Sequence, residues 1–189
     1  MIAALLVTAA LAADGDKERE PILVIGRGLI ERWNDPAIAT VYKSGAWLGG
    51  LGLVTPIIGP VAVDVEIGFA RLKAGEATLE LVPLSGLVEG FAPLGPVQGF
   101  AGLGPTWTGF TEVGGDEAVD GARIAAELRA GVRVDTQFVD PPAPPAPAGP
   151  IRALMLEINV GRRFEFPGSP PKGFHLGAWR ACIGLGAAL

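Results

Sequence analysis

Cysteine and histidine are almost absent from this chain of 189 residues, which contains one of each, Cys182 and His175. A single cysteine excludes an internal disulfide and any zinc cluster built from several thiolates. A single histidine limits metal binding and acid–base chemistry in the same way. No Gly-x-Ser-x-Gly or similar motif supplies a nucleophile that could work with His175. We therefore expect no catalytic residues, no metal site, no cofactor and no enzyme activity.

Two further absences narrow the class of protein. The 15 Lys and Arg residues are outnumbered by 20 Asp and Glu residues, so the net charge of −5 gives no basic surface for nucleic acid. No apolar run approaches the length of about 20 residues that a membrane-spanning helix needs. The composition disfavours both a nucleic-acid-binding protein and a helical membrane protein.

The start of the chain has the pattern of an export signal. Residues 1–13 are apolar and end in small side chains, and residues 10–12, Ala-Leu-Ala, match the A-x-A pattern of a cleavage site. The pattern predicts a signal peptide over residues 1–12, a lead over residues 13–20 and one domain over residues 21–189. Because the apolar stretch is not preceded by positive charge, two alternatives stay open: a truncated start, or a buried N-terminal strand or helix. Export leaves the periplasm, the outer membrane and the exterior as destinations.

The chain is rich in alternating polar and apolar residues, most clearly in residues 121–136. One face of this stretch consists of Arg123, Ala125, Glu127, Arg129, Gly131, Arg133 and Asp135. The other face consists of Ile124, Ala126, Leu128, Ala130, Val132, Val134 and Thr136. Side chains of a strand point alternately to its two faces, so one face is charged and the other apolar. The alternation continues well beyond the usual 5–6 residues of a soluble strand, roughly as a tilted strand crossing a bilayer requires.

The same rhythm recurs along the domain and predicts eight strands. The other strands are predicted over residues 21–33, 40–55, 61–72, 77–92, 97–111, 151–166 and 174–189. Bulges or register changes are expected near Pro83 and near the glycines at 49, 50 and 52, since neither residue type supports a regular ladder. The predicted fold is all-β: an eight-stranded antiparallel up-and-down transmembrane β-barrel.

The orientation follows from export through the periplasm, which places both ends of the chain there. The outward connections are then residues 34–39, 73–76, 112–120 and 167–173. The periplasmic connections are residues 56–60, 93–96 and 139–150, the last of them proline-rich and extended. Its length on that side conflicts mildly with the short periplasmic turns of bacterial barrels.

The polar faces of the predicted strands would form a charged lumen. The candidate lumen charges are Asp64, Glu66, Glu89, Arg123, Glu127, Arg129, Arg133, Asp135, Glu157, Arg163 and Arg180, with Asn159 beside them. The interior of an eight-stranded barrel is only wide enough for side chains, and buried charges must pair. We expect Arg123, Arg129 and Arg133 to pair with carboxylates on other strands. Cys182 is expected to be inert on the lumen face and His175 solvated at the membrane boundary.

Three segments resemble strands of a known group of proteins. Residues 93–107 (PLGPVQGFAGLGPTW), 155–166 (MLEINVGRRFEF) and 177–189 (GAWRACIGLGAAL) look like strands of the small eight-stranded outer-membrane β-barrels, the OmpA-transmembrane-domain, OmpX and OmpW-like group. The resemblance rests on strand rhythm and turn placement. Such barrels often end in an aromatic residue, whereas this chain ends in Leu189. The resemblance implies a location in the outer membrane of a Gram-negative bacterium and usually no enzyme activity.

The expected function is that of an outer-membrane barrel with a lumen plugged by salt bridges. Its role would be structural, adhesive or in assembly, without catalysis. The expected partners are outer-membrane lipid, the barrel-insertion machinery and other envelope proteins. Two alternatives stay open: a soluble exported lipocalin-like barrel that binds an apolar ligand, with its apolar faces inward, and a narrow pore lined by the charges.

Overall fold

The computed structural model describes residues 22–42, 46–135, 153–166 and 176–189. The predicted signal peptide, the lead over residues 13–20, the proline-rich connection and His175 lie outside the described residues. Among the described residues, no helix is long and apolar enough to cross a membrane.

Eight antiparallel strands form a closed barrel in which each strand pairs with the next and the last pairs with the first. The strands are β1 (Leu23–Trp33), β2 (Ala46–Ile58), β3 (Val61–Ala74), β4 (Ala77–Leu94), β5 (Val97–Gly114), β6 (Glu117–Asp135), β7 (Ala153–Glu165) and β8 (Ala178–Ala188). This confirms the predicted fold and the assignment of a strand to the first apolar segment.

One short helix, α1 (Pro36–Tyr42), follows β1 where the sequence predicted a loop and then the start of a strand at residue 40. Proline at the first position suits a helix start, since its missing N–H would be unpaired there anyway. The side chain of Asp35 accepts a hydrogen bond from the backbone N–H of Ile38 (3.3 Å), as an N-cap does. The second strand therefore begins at Ala46, and the prediction of its start was wrong.

Tight turns join the long strands in the middle of the chain. Gly59, Gly75, Gly95 and Gly115 each have φ between 50° and 66°. In two of these turns, Gly59-Pro60 and Gly95-Pro96, proline follows the glycine. Because proline cannot adopt positive φ, only the first central residue of the turn has positive φ, as in a type II′ hairpin. The last turn corrects the predicted loop over residues 112–120. There β5 and β6 stay paired as far as Gly114 and Glu117.

The predicted irregularities lie elsewhere than expected. Around Pro83 the register with β3 is unchanged, since Ile67 pairs with Leu84 and Ala70 with Leu81. The Gly-rich part of β2 keeps a continuous register with β1. The irregularity of β2 comes later, between residues 56 and 58, where proline cannot donate to the ladder.

Side chains alternate between a buried interior and an exposed apolar exterior. On β6, the side chains of Ile124 and Leu128 are more than half exposed. Glu127 and Arg129, the residues on either side of Leu128, are almost fully buried. On β5, Leu103 and Trp107 lie outside, and the rings of Phe100 and Phe110 lie inside. This arrangement is the reverse of that in a soluble protein, where apolar residues are enriched inside.

The interior consists of three layers. The helix end, defined by α1 and the turns at Gly75 and Gly115, holds an apolar cluster that includes Trp33, Ile38 and Tyr42. The termini end, where β1 begins and β8 ends, holds a smaller apolar cluster around Ile25. Charged side chains occupy the space between them. The barrel therefore has a filled interior with apolar material above and below its charges.

Candidate functional site

Five arginines and six carboxylates form one ion-pair network inside the barrel. Its members are Arg27, Glu31, Asp64, Glu66, Glu89, Glu127, Arg129, Arg133, Glu157, Arg163 and Arg180. They come from β1, β3, β4, β6, β7 and β8, and each side chain is at most 3% exposed. The network therefore connects strands on all sides of the barrel.

Arg27 links three carboxylates on two other strands. Its guanidinium donates to both oxygens of Asp64 (3.0 and 2.7 Å) and to both oxygens of Glu157 (2.8 and 3.1 Å). It also donates to Glu66 Oε2 (2.8 Å). Bidentate guanidinium–carboxylate pairs are the strongest and most directional form of this interaction. Arg27 thus joins β1 to β3 and β7 across the lumen.

Glu127 is the corresponding carboxylate centre. Its Oε1 accepts hydrogen bonds from Arg129 Nη2 (2.7 Å) and Arg180 Nη1 (2.6 Å). Its Oε2 accepts from Arg163 Nε (3.1 Å) and from the hydroxyls of Ser85 (3.1 Å) and Thr106 (2.9 Å). Both oxygens are therefore fully solvated by protein donors, which offsets the cost of burying the charge.

Further ion pairs extend the network from Arg27 and Glu127 toward both ends of the barrel. Toward the termini end, Arg133 donates to Glu89 (2.7 Å) and Glu157 (2.8 Å), and its guanidinium carbon lies 3.9 Å from the ring centroid of Phe100. Toward the helix end, Arg163 Nη1 lies 2.8 Å from Glu31 Oε1, an ion pair whose N–H is not aimed at that oxygen. The charges are thereby connected from one apolar layer to the other.

Small residues make room for the guanidinium groups. A Cβ on Gly52 would collide with the guanidinium of Arg27, and a Cβ on Gly102 would lie 2.7 Å from Glu89 Cγ. Both glycines face the lumen next to a long charged side chain. The glycine-rich composition of the inward faces is thus the steric complement of the network.

The structure brings nine of the eleven predicted lumen charges into this network. The nine are Asp64, Glu66, Glu89, Glu127, Arg129, Arg133, Glu157, Arg163 and Arg180. Arg123 instead donates to the backbone carbonyl of Ala122 (3.2 Å) and lies 5.5 Å from the ring centroid of Phe110. The expectation that Arg123 pairs with a carboxylate was therefore wrong. Asp135 is half-buried at the last position of β6.

Arg27 and Glu31 are network members that the sequence reasoning missed. The signal was present in the alternation of β1, where Arg27, Leu29, Glu31 and Trp33 share one face. The apolar, glycine-containing start of that segment obscured the pattern. Asn159, expected among the lumen residues, donates to Glu157 Oε1 (2.7 Å).

The lone cysteine and the helix-end tyrosine lie close to the network without joining it. Cys182 is buried on the inward face of β8, as predicted. Tyr42 donates a hydrogen bond from its hydroxyl to Glu112 Oε1 (2.6 Å) where α1 covers the mouth of the barrel. Burial and the neighbouring carboxylate raise the pKa of Tyr42 above its ordinary value. Within the described residues, no group of three or more His, Cys, Asp and Glu side chains could hold a metal ion.

Comparison with solved structures identifies the fold. The chain is similar to Neisserial surface protein A (TM-score 0.59, 9% identity, 89% of this chain and 96% of that chain) and to OprG of Pseudomonas aeruginosa (TM-score 0.57, 13% identity, 93% and 99%). It is also similar to Ail, the attachment invasion locus protein of Yersinia pestis (TM-score 0.52, 11% identity, 89% and 97%). No protein-family model matches the sequence, and comparison with curated proteins finds no match.

The chain therefore has the fold of the small eight-stranded outer-membrane β-barrels, as the resemblance implied. Both chains are covered almost completely in each comparison, so the likeness extends over the whole barrel. The outward position of the apolar faces is the opposite of what a lipocalin-like binder of apolar ligands requires.

Proposed function

We propose that this chain is an integral outer-membrane protein of a Gram-negative bacterium whose closed lumen serves stability rather than transport or catalysis. The single observation that carries the proposal is the charged interior, in which eleven buried ionic side chains are paired with one another between two apolar layers.

The exterior supports a location in a bilayer. Large apolar side chains face outward on every strand, among them Ile30, Leu51, Ile67, Val88 and Ile183. The eleven residues of β1, tilted by about 40°, span roughly the 25 Å height of an outer-membrane apolar band. Outer-membrane lipid is accordingly the proposed partner of this surface, and the barrel-insertion machinery and other envelope proteins stay expected partners.

Aromatic side chains add an asymmetry to this exterior. Among the residues that the structure describes, the exposed aromatics all lie toward the helix end: Trp47, Phe69, Trp107, Phe164, Phe166 and Trp179. At the termini end the outward positions are aliphatic, including Ile57, Leu94 and Leu154. Aromatic rings favour the level of the lipid headgroups, so these positions agree with a membrane interface at the helix end.

The paired interior favours a plug over a pore. A conducting path needs a water-filled gap or loosely held charges, whereas Arg27 and Glu127 each make five or more bonds to protein groups. Above the charges the mouth is filled by the side chains of α1 and its neighbours. The interior thus resembles a protein core made of ion pairs.

Location and folding are testable together by membrane fractionation and heat-modifiable electrophoretic migration. We expect the mature chain in the outer-membrane fraction, with a folded band that shifts on boiling. Recovery in the soluble periplasmic fraction, or migration independent of heating, would contradict the proposal.

A second candidate role is adhesion, favoured by the hairpin of β5 and β6. These strands stay paired to Gly114 and Glu117 and present exposed Val119 and Asp120 at the helix end. The similar protein Ail is named for attachment. Replacing residues 113–118 by an Asn-Gly turn keeps Glu112 paired with Val119 and should abolish binding of cells to a surface if the hairpin is adhesive. Unchanged attachment, with the barrel still folded, would remove this role.

A further inference from the structure

Two arginines and two aromatic rings form a cluster on the outward face of the barrel. This outward cluster consists of Arg32 on β1, Trp179 on β8 and Arg162 and Phe164 on β7. Trp179 pairs with Arg32 on one side and with Arg162 on the other, so the three side chains form a row across adjacent strands. They lie among the last or first residues of their strands at the helix end.

The guanidinium of Arg162 is held between the two rings. Its carbon lies 4.7 Å from the ring centroid of Phe164 and 4.8 Å from that of Trp179. Its Nε is buried and has no hydrogen-bond partner among the described residues. Cation–π contacts fix the orientation of an arginine without neutralising its charge. The N–H groups of Arg162 are therefore held in a fixed orientation but donate no hydrogen bond within the described residues.

The cluster carries uncompensated positive charge. Within the part of the chain that the structure describes, neither Arg32 nor Arg162 has a carboxylate partner. The contrast is Arg71, another outward arginine at the helix end, which is paired with Glu80 (3.3 Å). Inside the barrel, the network arginines are paired as well. Two cations on the lipid-facing wall thus have no counter-ion among the described residues.

The position of the cluster relative to the bilayer indicates which kind of anion it binds. Trp179 and Phe164 belong to the row of outward aromatics that marks a membrane interface, where headgroups begin. An arginine in a lipid-facing wall is costly at the bilayer midplane and nearly neutral near the interface. A planar guanidinium matches the oxygens of a phosphate by bidentate hydrogen bonding. Apolar wall lies below the cluster, with Ile183 and Val160 exposed to acyl chains.

We propose that the outward cluster binds the terminal phosphate monoester of an anionic lipid, with the acyl chains lying along β7, β8 and β1. The inference rests on the proposed membrane function, which places this face in contact with lipid. Arg162 and Arg32 hold the phosphate from two sides, and Trp179 lies between them as a platform at the headgroup level. In the proposed orientation this lipid belongs to the outer leaflet.

The test measures lipid preference of the intact folded protein by native mass spectrometry, in nanodiscs that contain phosphatidic acid and phosphatidylcholine. The wild type should retain phosphatidic acid in preference to phosphatidylcholine. An Arg32→Gln, Arg162→Gln double variant should lose about fivefold or more of that preference, given the contribution of each basic residue at an anionic surface. The matched control Arg71→Gln removes an outward arginine that already has a partner and should leave the preference unchanged.

Two results for the variants would overturn the inference: equal loss in the control and the double variant, or no loss in either. Equal loss would indicate a general effect of positive charge, and no loss would mean that the cluster does not hold the lipid. Heat-modifiable migration of every variant is measured in parallel. A protein that does not fold into the membrane contradicts the proposed function itself, whereas a folded protein without lipid preference contradicts this inference alone.

Discussion

At the scale of single residues, the barrel depends on arginines that have no neutral substitute. Transferring an ion out of water costs several kcal/mol, and the cost is recovered only where hydrogen bonds and opposite charges surround it. Arg27 satisfies Asp64 and Glu157 at the same time, each through two bonds. Its loss would leave both carboxylates buried near one another with reduced compensation.

Replacing Arg27 by methionine should therefore destabilise the barrel by about 3–5 kcal/mol, the cost of breaking a buried ion pair. The measurement is urea unfolding of the protein in lipid vesicles, followed by tryptophan fluorescence. Arg71→Met is the control, because its pair with Glu80 is roughly half exposed and should contribute no more than ~1 kcal/mol. Similar losses in the two variants would contradict a stabilising role of the interior network.

Glycine at position 52 provides a second test at this scale. A Cβ there would displace the guanidinium of Arg27, which is held by five hydrogen bonds and cannot move freely. Gly52→Ala should cost about 1–3 kcal/mol, as overpacking does. Gly49→Ala on the same strand faces outward with no atom within 4 Å of its Cβ and should leave the unfolding free energy nearly unchanged. The reverse order of the two effects would place the lumen on the other face of β2.

Residue identity in the lumen was largely predictable, whereas pairing was not. Alternation assigned Glu127, Arg129 and Arg133 to the interior without any knowledge of the neighbouring strands. It could not assign Arg123 to Phe110, because partner choice depends on strand register and on the height of each side chain in the barrel. Alternation predicts which face of a strand a side chain lies on, whereas its contact partners are known only from the register of the closed sheet.

At the scale of elements, α1 is the part that the sequence did not predict. The single tyrosine of the chain lies in it and donates to Glu112 across the barrel mouth. The short amphipathic stretch resembled a strand because Thr40 and Val41 favour strands, while the proline start and the Asp35 cap determined a helix. The hairpin tip of β5 and β6 was missed for a related reason, since its polar, glycine-containing residues have loop composition.

The single tyrosine makes the docking of α1 measurable. Because burial and Glu112 raise the pKa of Tyr42, its contact stabilises the fold fully below the unfolded-state value of about 10 and is lost as the pH rises through the folded-state value. Tyrosinate absorbance should therefore rise at higher pH in the folded protein than in the urea-unfolded chain. Glu112→Gln should lower the folded midpoint. Coincident titrations of the folded and unfolded protein would show that α1 does not cover Tyr42.

At the scale of the whole molecule, the fold follows from a single inversion: apolar residues outside and paired charges inside. Strand number, closure and the direction of each clear face were all predictable, because a bilayer imposes period-two alternation over strands longer than soluble sheets need. The layered filling was not predictable. It depends on which side chains reach the same height from eight strands, as Trp33 on β1 and Leu176 before β8 do in the apolar cluster at the helix end.

The closed interior is the central claim, and planar-bilayer conductance of the refolded protein tests it most directly. Heat-modifiable migration of the same preparation establishes that the inserted protein is folded. The paired charges and the two apolar layers predict a silent bilayer, with no discrete conductance steps above the leak of the membrane. Reproducible steps from folded protein that are abolished or altered by Glu127→Gln would show an ion path along the network and would contradict the account.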